Sequence, residues 1–111
     1  MTIFFEDSFD AAHWLPNVPR GHKCAQFHGH TYRIRLEVQG EVGPETGWVV
    51  DYAELKEKWA PIKAALDHQS LNSIIQNPTC ELIAEWIGER LPMVSLIELR
   101  ETVNCGVVWV R

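Results

Sequence analysis

The chain has 111 residues, 46% of them hydrophobic and 23% charged, the balance of an ordinary globular domain able to bury a real core. Its net charge of −5 gives no electrostatic basis for binding nucleic acid or an anionic membrane. No apolar run approaches membrane-spanning length, and Met1–Glu6 lacks a basic segment followed by a hydrophobic one. The expectation is one cytoplasmic domain over residues 1–111, with neither nucleic acid nor membrane as partner.

The first segment alternates. Ile3, Phe5, Phe9, Ala11 and His13 share one parity and Glu6, Ser8 and Asp10 the other, which predicts a strand over about residues 2–9 entering a loop with Pro16, Pro19 and Gly21. The second alternation is cleaner: His28, His30, Tyr32, Ile34, Leu36 and Val38 face one way, and Thr31, Arg33, Arg35, Glu37 and Gln39 the other. Residues 40–47, with Gly40, Pro44 and Gly47, form a turn. Asp51 is the expected N-cap of a helix whose apolar positions are Leu55, Trp59, Ile62 and Leu66, with Pro61 predicted to kink or divide it. A second helix begins at Asn77-Pro78-Thr79, capped by either Asn77 or Thr79, with Leu82, Ile83, Trp86, Ile87 and Leu91 on one face. Two closing strands follow, over about residues 95–102 and 106–110, around an Asn104-Cys105-Gly106 turn. The order β-β-α-α-β-β predicts an α+β fold, a four-stranded antiparallel sheet with two helices on one face. Such a sheet has two open edges and a second face to cover, and five tryptophans and Tyr32 add apolar surface. Closure with further copies into a ring or barrel answers both.

The chemistry-bearing residues gather at the start of the second strand. His28 and His30 are separated by one residue, so their imidazoles point to the same face. His13 supplies a third imidazole, giving the open three-histidine shell of catalytic zinc. His22 is the alternative third ligand, but it lies in a Pro/Gly loop without strand register and reads as solvated. Three cysteines cannot all pair within one chain, and none lies in a CxxC, which fits reduced thiols. Cys80 and Cys105 read as small buried residues. Cys24 is either a fourth metal ligand, closing a structural site, or a base or nucleophile whose thiolate is favoured by Lys23 and a metal. Asp67-His68 is a second unit, in which the carboxylate can fix the tautomer of the imidazole. Glu101 shares parity with Ile97 and Leu99, so its carboxylate faces the apolar side and needs a partner. That partner is Arg33, Arg35 or Arg100, or a ligand offering two parallel N–H donors, as a pterin does.

Seven segments in order then carry a resemblance. They are Phe9-Asp10-Ala11-Ala12-His13, Gly21-His22-Lys23-Cys24, His28-Gly29-His30-Thr31-Tyr32, Gly47-Trp48-Val49-Val50-Asp51-Tyr52, Leu66-Asp67-His68, Asn77-Pro78-Thr79-Cys80-Glu81 and Arg100-Glu101-Thr102. With them the chain resembles, nearly end to end, the 6-pyruvoyltetrahydropterin synthase / 6-carboxytetrahydropterin synthase family, and within it the bacterial carboxy branch of queuosine biosynthesis. The resemblance implies the tunnelling fold, in which trimers close a β-barrel and two trimers stack as a hexamer. It implies Zn2+ on His13, His28 and His30, Cys24 as proton acceptor, and His68 as relay histidine supported by Asp67. It also implies that Glu101 anchors the pterin and joins the charge relay, with Thr79 and Glu81 near the pterin and Lys23 near the triphosphate. The implied reaction converts 7,8-dihydroneopterin triphosphate to 6-carboxytetrahydropterin with release of acetaldehyde and triphosphate. Its rivals are the pyruvoyl synthase reaction and a non-catalytic, zinc-stabilised pterin-binding module. Gln69, Cys80 and Trp14 depart from the usual family residues, while the short gap from Cys24 to His28 resembles the carboxy branch.

Overall fold

A computed structural model describes residues 1–111. Two long strands, β1 (Thr2–His13) and β2 (His28–Gln39), pair antiparallel along their whole length, from Thr2 opposite Gln39 to His13 opposite His28. β2 continues to β4 (Leu96–Arg100), and β4 to β5 (Gly106–Val110), both antiparallel. The helices are α1 (Tyr52–Leu66) and α2 (Cys80–Arg90). Neither is long and apolar enough to cross a membrane.

The α+β architecture and its order hold, with four corrections. β1 does not end near residue 9 but runs to His13, because every residue from Thr2 onward has a partner on β2. The sheet has five strands, since β3 (Gln69–Ser70) pairs parallel with Ala11 and Ala12 at the outer edge of β1. Pro61 neither divides nor ends α1, which is helical on both sides of it; the ring lies on the exposed face, where water can satisfy the carbonyl that loses its amide partner. β4 is shorter than expected because residues 101–105 leave the ladder as a turn closed by the Glu101 and Thr102 amides on the Cys105 carbonyl.

Nineteen residues form the core between one sheet face and the two helices. The parities read from β1, β2 and β4 all deliver their apolar members to it, and so do Leu55, Trp59, Ile62 and Leu66 of α1. Phe9 stacks on Tyr32 with centroids 5.0 Å apart, and Trp59 tilts against Phe9. Each buried ring contributes on the order of 1.5–3 kcal/mol from apolar burial alone. The Trp59 indole N–H donates to Asp7, which also accepts from Lys63, fastening α1 to β1. The caps are Asp51, accepting from the Ala53 amide, and Thr79, accepting from Leu82; Asn77 does not cap α2. Leu82 departs from its expected place and is exposed, while Ala84 and Gly88 turn inward with Ile83 and Ile87. Gly88 is required by close packing, because a Cβ there would lie 2.6 Å from the Trp109 ring.

The other sheet face carries charge more than apolar bulk: Glu6, Arg35 and Glu37 form one ion-paired row, and Glu98 pairs with Arg100. The single chain is an open sheet, not a closed barrel, and the outer backbone of β5 has no strand beside it. Val108 and Val110 are exposed there, whereas Arg111 turns inward to the carbonyls of Gly88, Leu91 and Val94.

Candidate active site

The full pairing of β1 with β2 builds the site. His13 lies opposite His28, and His30 opposite Ala11, so three imidazoles of matching parity meet at one end of the core. Their ring centroids are 4.6, 5.2 and 4.9 Å apart. Two of the rings are oriented by backbone carbonyls. His13 Nδ1 lies 2.7 Å from the Pro78 carbonyl, and His28 Nδ1 lies 2.7 Å from that of Gln26. A carbonyl only accepts, so each Nδ1 carries the proton and each Nε2 presents a lone pair. Burial depresses the pKa of His13 and of His30, outweighing the Pro78 carbonyl and then the Glu101 carboxylate at His13 and the Glu101 carboxylate at His30, and favours the neutral imidazoles that a metal needs. Tyr32, fully buried below them, reaches His13 Nδ1 at 3.4 Å, and burial followed by the Glu101 charge raises its pKa so that it stays a phenol.

The same geometry tests the fit of a metal. The Nε2 atoms of His13 and His28 lie 3.0 Å apart, and two lone pairs facing each other at that distance repel unless a cation sits between them. Tetrahedral zinc with bonds of ~2.0–2.1 Å spaces its ligand atoms by about 3.3 Å, close to this arrangement. His30 Nε2 is buried without a hydrogen bond. Glu101 brings a carboxylate oxygen to 3.0 Å from His30 Nε2 and 3.9 Å from His13 Nε2. One ligand atom from each of His13, His28, His30 and Glu101 falls within 4.8 Å of all the others. This donor set fits a metal ion, and Cys24 is not part of it.

The cluster opens onto a cleft of about 610 Å³ bordered by Lys23, Cys24, Glu81, Glu101 and Thr102. Cys24 sits in the 3-10 turn Lys23–Ala25, whose entry is held by His22 Nδ1 accepting from the Cys24 amide. His22 is thus occupied as a local cap. Glu101 makes no arginine pair: Arg35 is taken by Glu6 and Glu37, Arg100 by Glu98, and Arg33 is exposed on the charged sheet face. Thr79 uses its hydroxyl to cap α2 and does not line the cleft, whereas Glu81 in the first turn of that helix does. Cys80 is buried as expected. Its thiol lies against the Leu99 carbonyl, and burial, followed by the charges of Glu101 and Glu81, pushes its pKa up to about 12. Cys105, read as buried, is exposed instead, because the β4–β5 turn lifts it out of the sheet.

Asp67 and His68 do touch, with His68 Nδ1 3.0 Å from Asp67 Oδ2. His68 lines a second cleft of about 580 Å³, on the β1–β3 side, where Thr31 and Gln69 also lie, with Asp67 behind it. His30 borders both clefts, but within one chain Cys24 and His68 open onto different ones. His68 has a left-handed backbone, φ 58°, and its amide donates to the Asp10 carbonyl at 2.6 Å. Asp67 accepts the Asp10 amide at 2.9 Å. That bond, followed by the one to His68, holds the Asp67 carboxyl below its usual range. Sequence reasoning missed the carbonyls of Pro78 and Gln26, which carry no side-chain signal, and also Tyr32 as a neighbour of His13. The parity of Tyr32 with His28 and His30 was the available clue.

Residues 2–109 match the family described as 6-pyruvoyl tetrahydropterin synthase. Among characterised relatives, the 6-carboxy-5,6,7,8-tetrahydropterin synthase of Synechocystis is 39% identical across 90% of this chain and 85% of its own length. The dihydroneopterin monophosphate aldolase of Pyrococcus furiosus is also 39% identical, across 80% of this chain and 73% of its own. The solved structure of Caenorhabditis elegans 6-pyruvoyl tetrahydropterin synthase superposes with a TM-score of 0.91 at 26% identity, covering 100% of this chain and 95% of that one. The chain belongs to the 6-pyruvoyl tetrahydropterin synthase family.

Proposed function

We propose that this family member is a cytoplasmic, zinc-dependent 6-carboxy-5,6,7,8-tetrahydropterin synthase of queuosine biosynthesis. It takes 7,8-dihydroneopterin triphosphate and one water and releases 6-carboxytetrahydropterin, acetaldehyde and triphosphate. The observation that carries this reading is the convergence of three imidazoles on one point beside the cleft that also holds Cys24, with His28 and His30 lining it. The 39% identity with the Synechocystis carboxy synthase supports the choice of product.

In this reading His13, His28 and His30 hold the metal, with Nδ1 of the first two kept in place by the Pro78 and Gln26 carbonyls. Bound there, zinc supplies Lewis-acid polarisation of the substrate's side-chain hydroxyls. Cys24 Sγ accepts a side-chain proton, and His68 exchanges protons on the opposite face, oriented through Nδ1 by Asp67. Glu101 receives the parallel N–H donors of the pterin, a bidentate and charge-assisted contact. Glu81 lines the same cleft, held by a helix start that Thr79 caps. Lys23 faces the triphosphate.

Within one chain Cys24 and His68 border separate clefts, which supports a complete site formed between copies. The unpaired edge of β5 and the mostly unpaired outer edge of β1 support assembly through strand pairing, as a homohexamer of two stacked trimers. A monomeric mass by light scattering at micromolar concentration would sink the assembly.

The deciding experiment incubates the zinc-loaded protein with 7,8-dihydroneopterin triphosphate and measures acetaldehyde. Equimolar acetaldehyde and carboxypterin are expected. Loss of triphosphate without acetaldehyde would show the pyruvoyl reaction, and metal binding with no turnover a non-catalytic module. One observation favours a second reading. Lys23 is the one lysine or arginine lining a cleft that also holds the carboxylates Glu81 and Glu101, a light cationic provision for a triphosphate, and one relative is a dihydroneopterin monophosphate aldolase. Incubating the protein with dihydroneopterin monophosphate and measuring the phosphorylated two-carbon aldehyde that retro-aldol cleavage would release decides between them.

A further inference from the structure

Glu101 occupies a position that the three-histidine reading leaves empty. Its Oε1 sits 3.0 Å from His30 Nε2 and 3.9 Å from His13 Nε2. The short contact is not a hydrogen bond, because His30 Nε2 has no partner in donor geometry. Two atoms that approach to 3.0 Å without donor alignment are placed as two ligands of a common ion are. The carboxylate has no other anchor, since no side-chain hydrogen bond or arginine pair holds it. Its backbone lies just past the end of β4, in the turn closed on Cys105, and the side chain is 25% exposed. It is therefore positioned firmly enough to reach the metal and loosely enough to leave.

We propose that Glu101 is the fourth ligand of the resting metal centre and is exchanged off it when a pterin enters. The idea rests on the pterin-synthase reading above, because the same carboxylate cannot bind the metal and both N–H donors of a pterin ring at once. At rest, three neutral imidazoles and one carboxylate close a tetrahedral site and partly neutralise the ion. Pterin docking draws the carboxylate away and opens the fourth position to the side-chain oxygens of that same substrate. Ring recognition would then be the event that exposes the metal, so that water alone meets a closed centre.

The test reads the metal and not turnover. Apparent Zn2+ affinity is measured by chelator competition for the wild type, Glu101→Gln and Glu101→Asp. The visible spectrum of the Co2+-substituted proteins is recorded with and without pterin lacking a side chain, a probe that can draw off Glu101 but offers the metal no side-chain hydroxyl. Glu101→Gln should weaken Zn2+ binding by about tenfold or more, with Glu101→Asp between it and the wild type. Pterin should shift the Co2+ bands of the wild type and leave those of Glu101→Gln unmoved. Circular dichroism of the metal-free proteins checks that the variants fold, and the wild-type response to pterin needs no variant. Zn2+ affinity of Glu101→Gln within twofold of wild type, or Co2+ bands indifferent to saturating pterin, overturns the exchange. If the exchange fails while acetaldehyde is still produced, the proposed function stands without it. If Glu101→Gln loses metal but no pterin substrate is turned over, the ligand assignment stands and the function falls.

Discussion

The clefts on either side of His30 are built by different means. The Cys24 cleft backs onto core: its imidazoles stand on a twelve-residue ladder, with Tyr32, Phe9 and Trp59 packed beneath. The His68 cleft is an edge construction, held by a two-residue parallel strand, one left-handed residue and a few bonds to Asp10. His13 is completely buried, while the His68 side chain is 76% exposed. A binding centre has to be pre-positioned, and packing achieves that within one chain. The Asp67–His68 pair opens to solvent, and in the proposed assembly a second copy would supply the wall it lacks.

The largest break in this comparison comes from removing a ligand. His28→Ala should reduce bound metal from about one equivalent to near zero by elemental analysis and abolish turnover, because three donors are the minimum for a catalytic centre. Cys24→Ala should do the reverse: full metal content, with kcat lower by about 10²–10⁴, the range for loss of a general base. His68→Ala should lower kcat in the same range without touching metal content, and mixing it with Cys24→Ala chains gives the sharper result. Hybrid oligomers that regain turnover would show that the two clefts complete each other across copies. No regain from demonstrably mixed oligomers would mean that both groups serve one chain.

The smallest effect concerns Asp67. Its folded pKa is lowered, first by the Asp10 amide and then by His68, so its contribution to stability is complete above the unfolded value near 3.8. That contribution is lost as pH falls through the lower folded pKa. The melting-temperature gap between the wild type and Asp67→Asn should therefore be constant at neutral pH and close only in strong acid. A gap that closes well above the carboxylate range would overturn the assignment to Asp67.

Much of the packed cleft was legible in the sequence, and little of the edge one. Alternation alone put His28, His30 and Tyr32 on the buried face and aimed Glu101 inward, because a half-buried strand has a strict period of two. The same alternation ran through Ala11 to His13, yet Ala11-Ala12-His13 lacks the β-branched residues that announce a strand, so the predicted end fell at 9. Pairing with β2 and β3 keeps these residues extended, and that pairing is a tertiary fact. β3 is too short for any periodicity. Leu82 misled the reading of α2 for a related reason: Trp109 packs against the helix at Gly88, and that residue arrives twenty-seven positions after Leu82. The carbonyls that orient His13 and His28 could not be read at all, since every residue carries one.

The bare margin of β5 bears on how the protein must be handled. Gly106-Val107-Val108-Trp109-Val110 is an uncharged segment of high strand propensity, and the Arg111 that could have guarded it points back into the fold. Such a margin accepts any extended backbone as a template. Correct assembly and aggregation would then compete for the same row of amides, and dilution after purification would favour the wrong winner. Apparent thermal stability should rise with protein concentration by mass action, and a lysine placed at Val108 should keep isolated chains soluble while preventing them from joining.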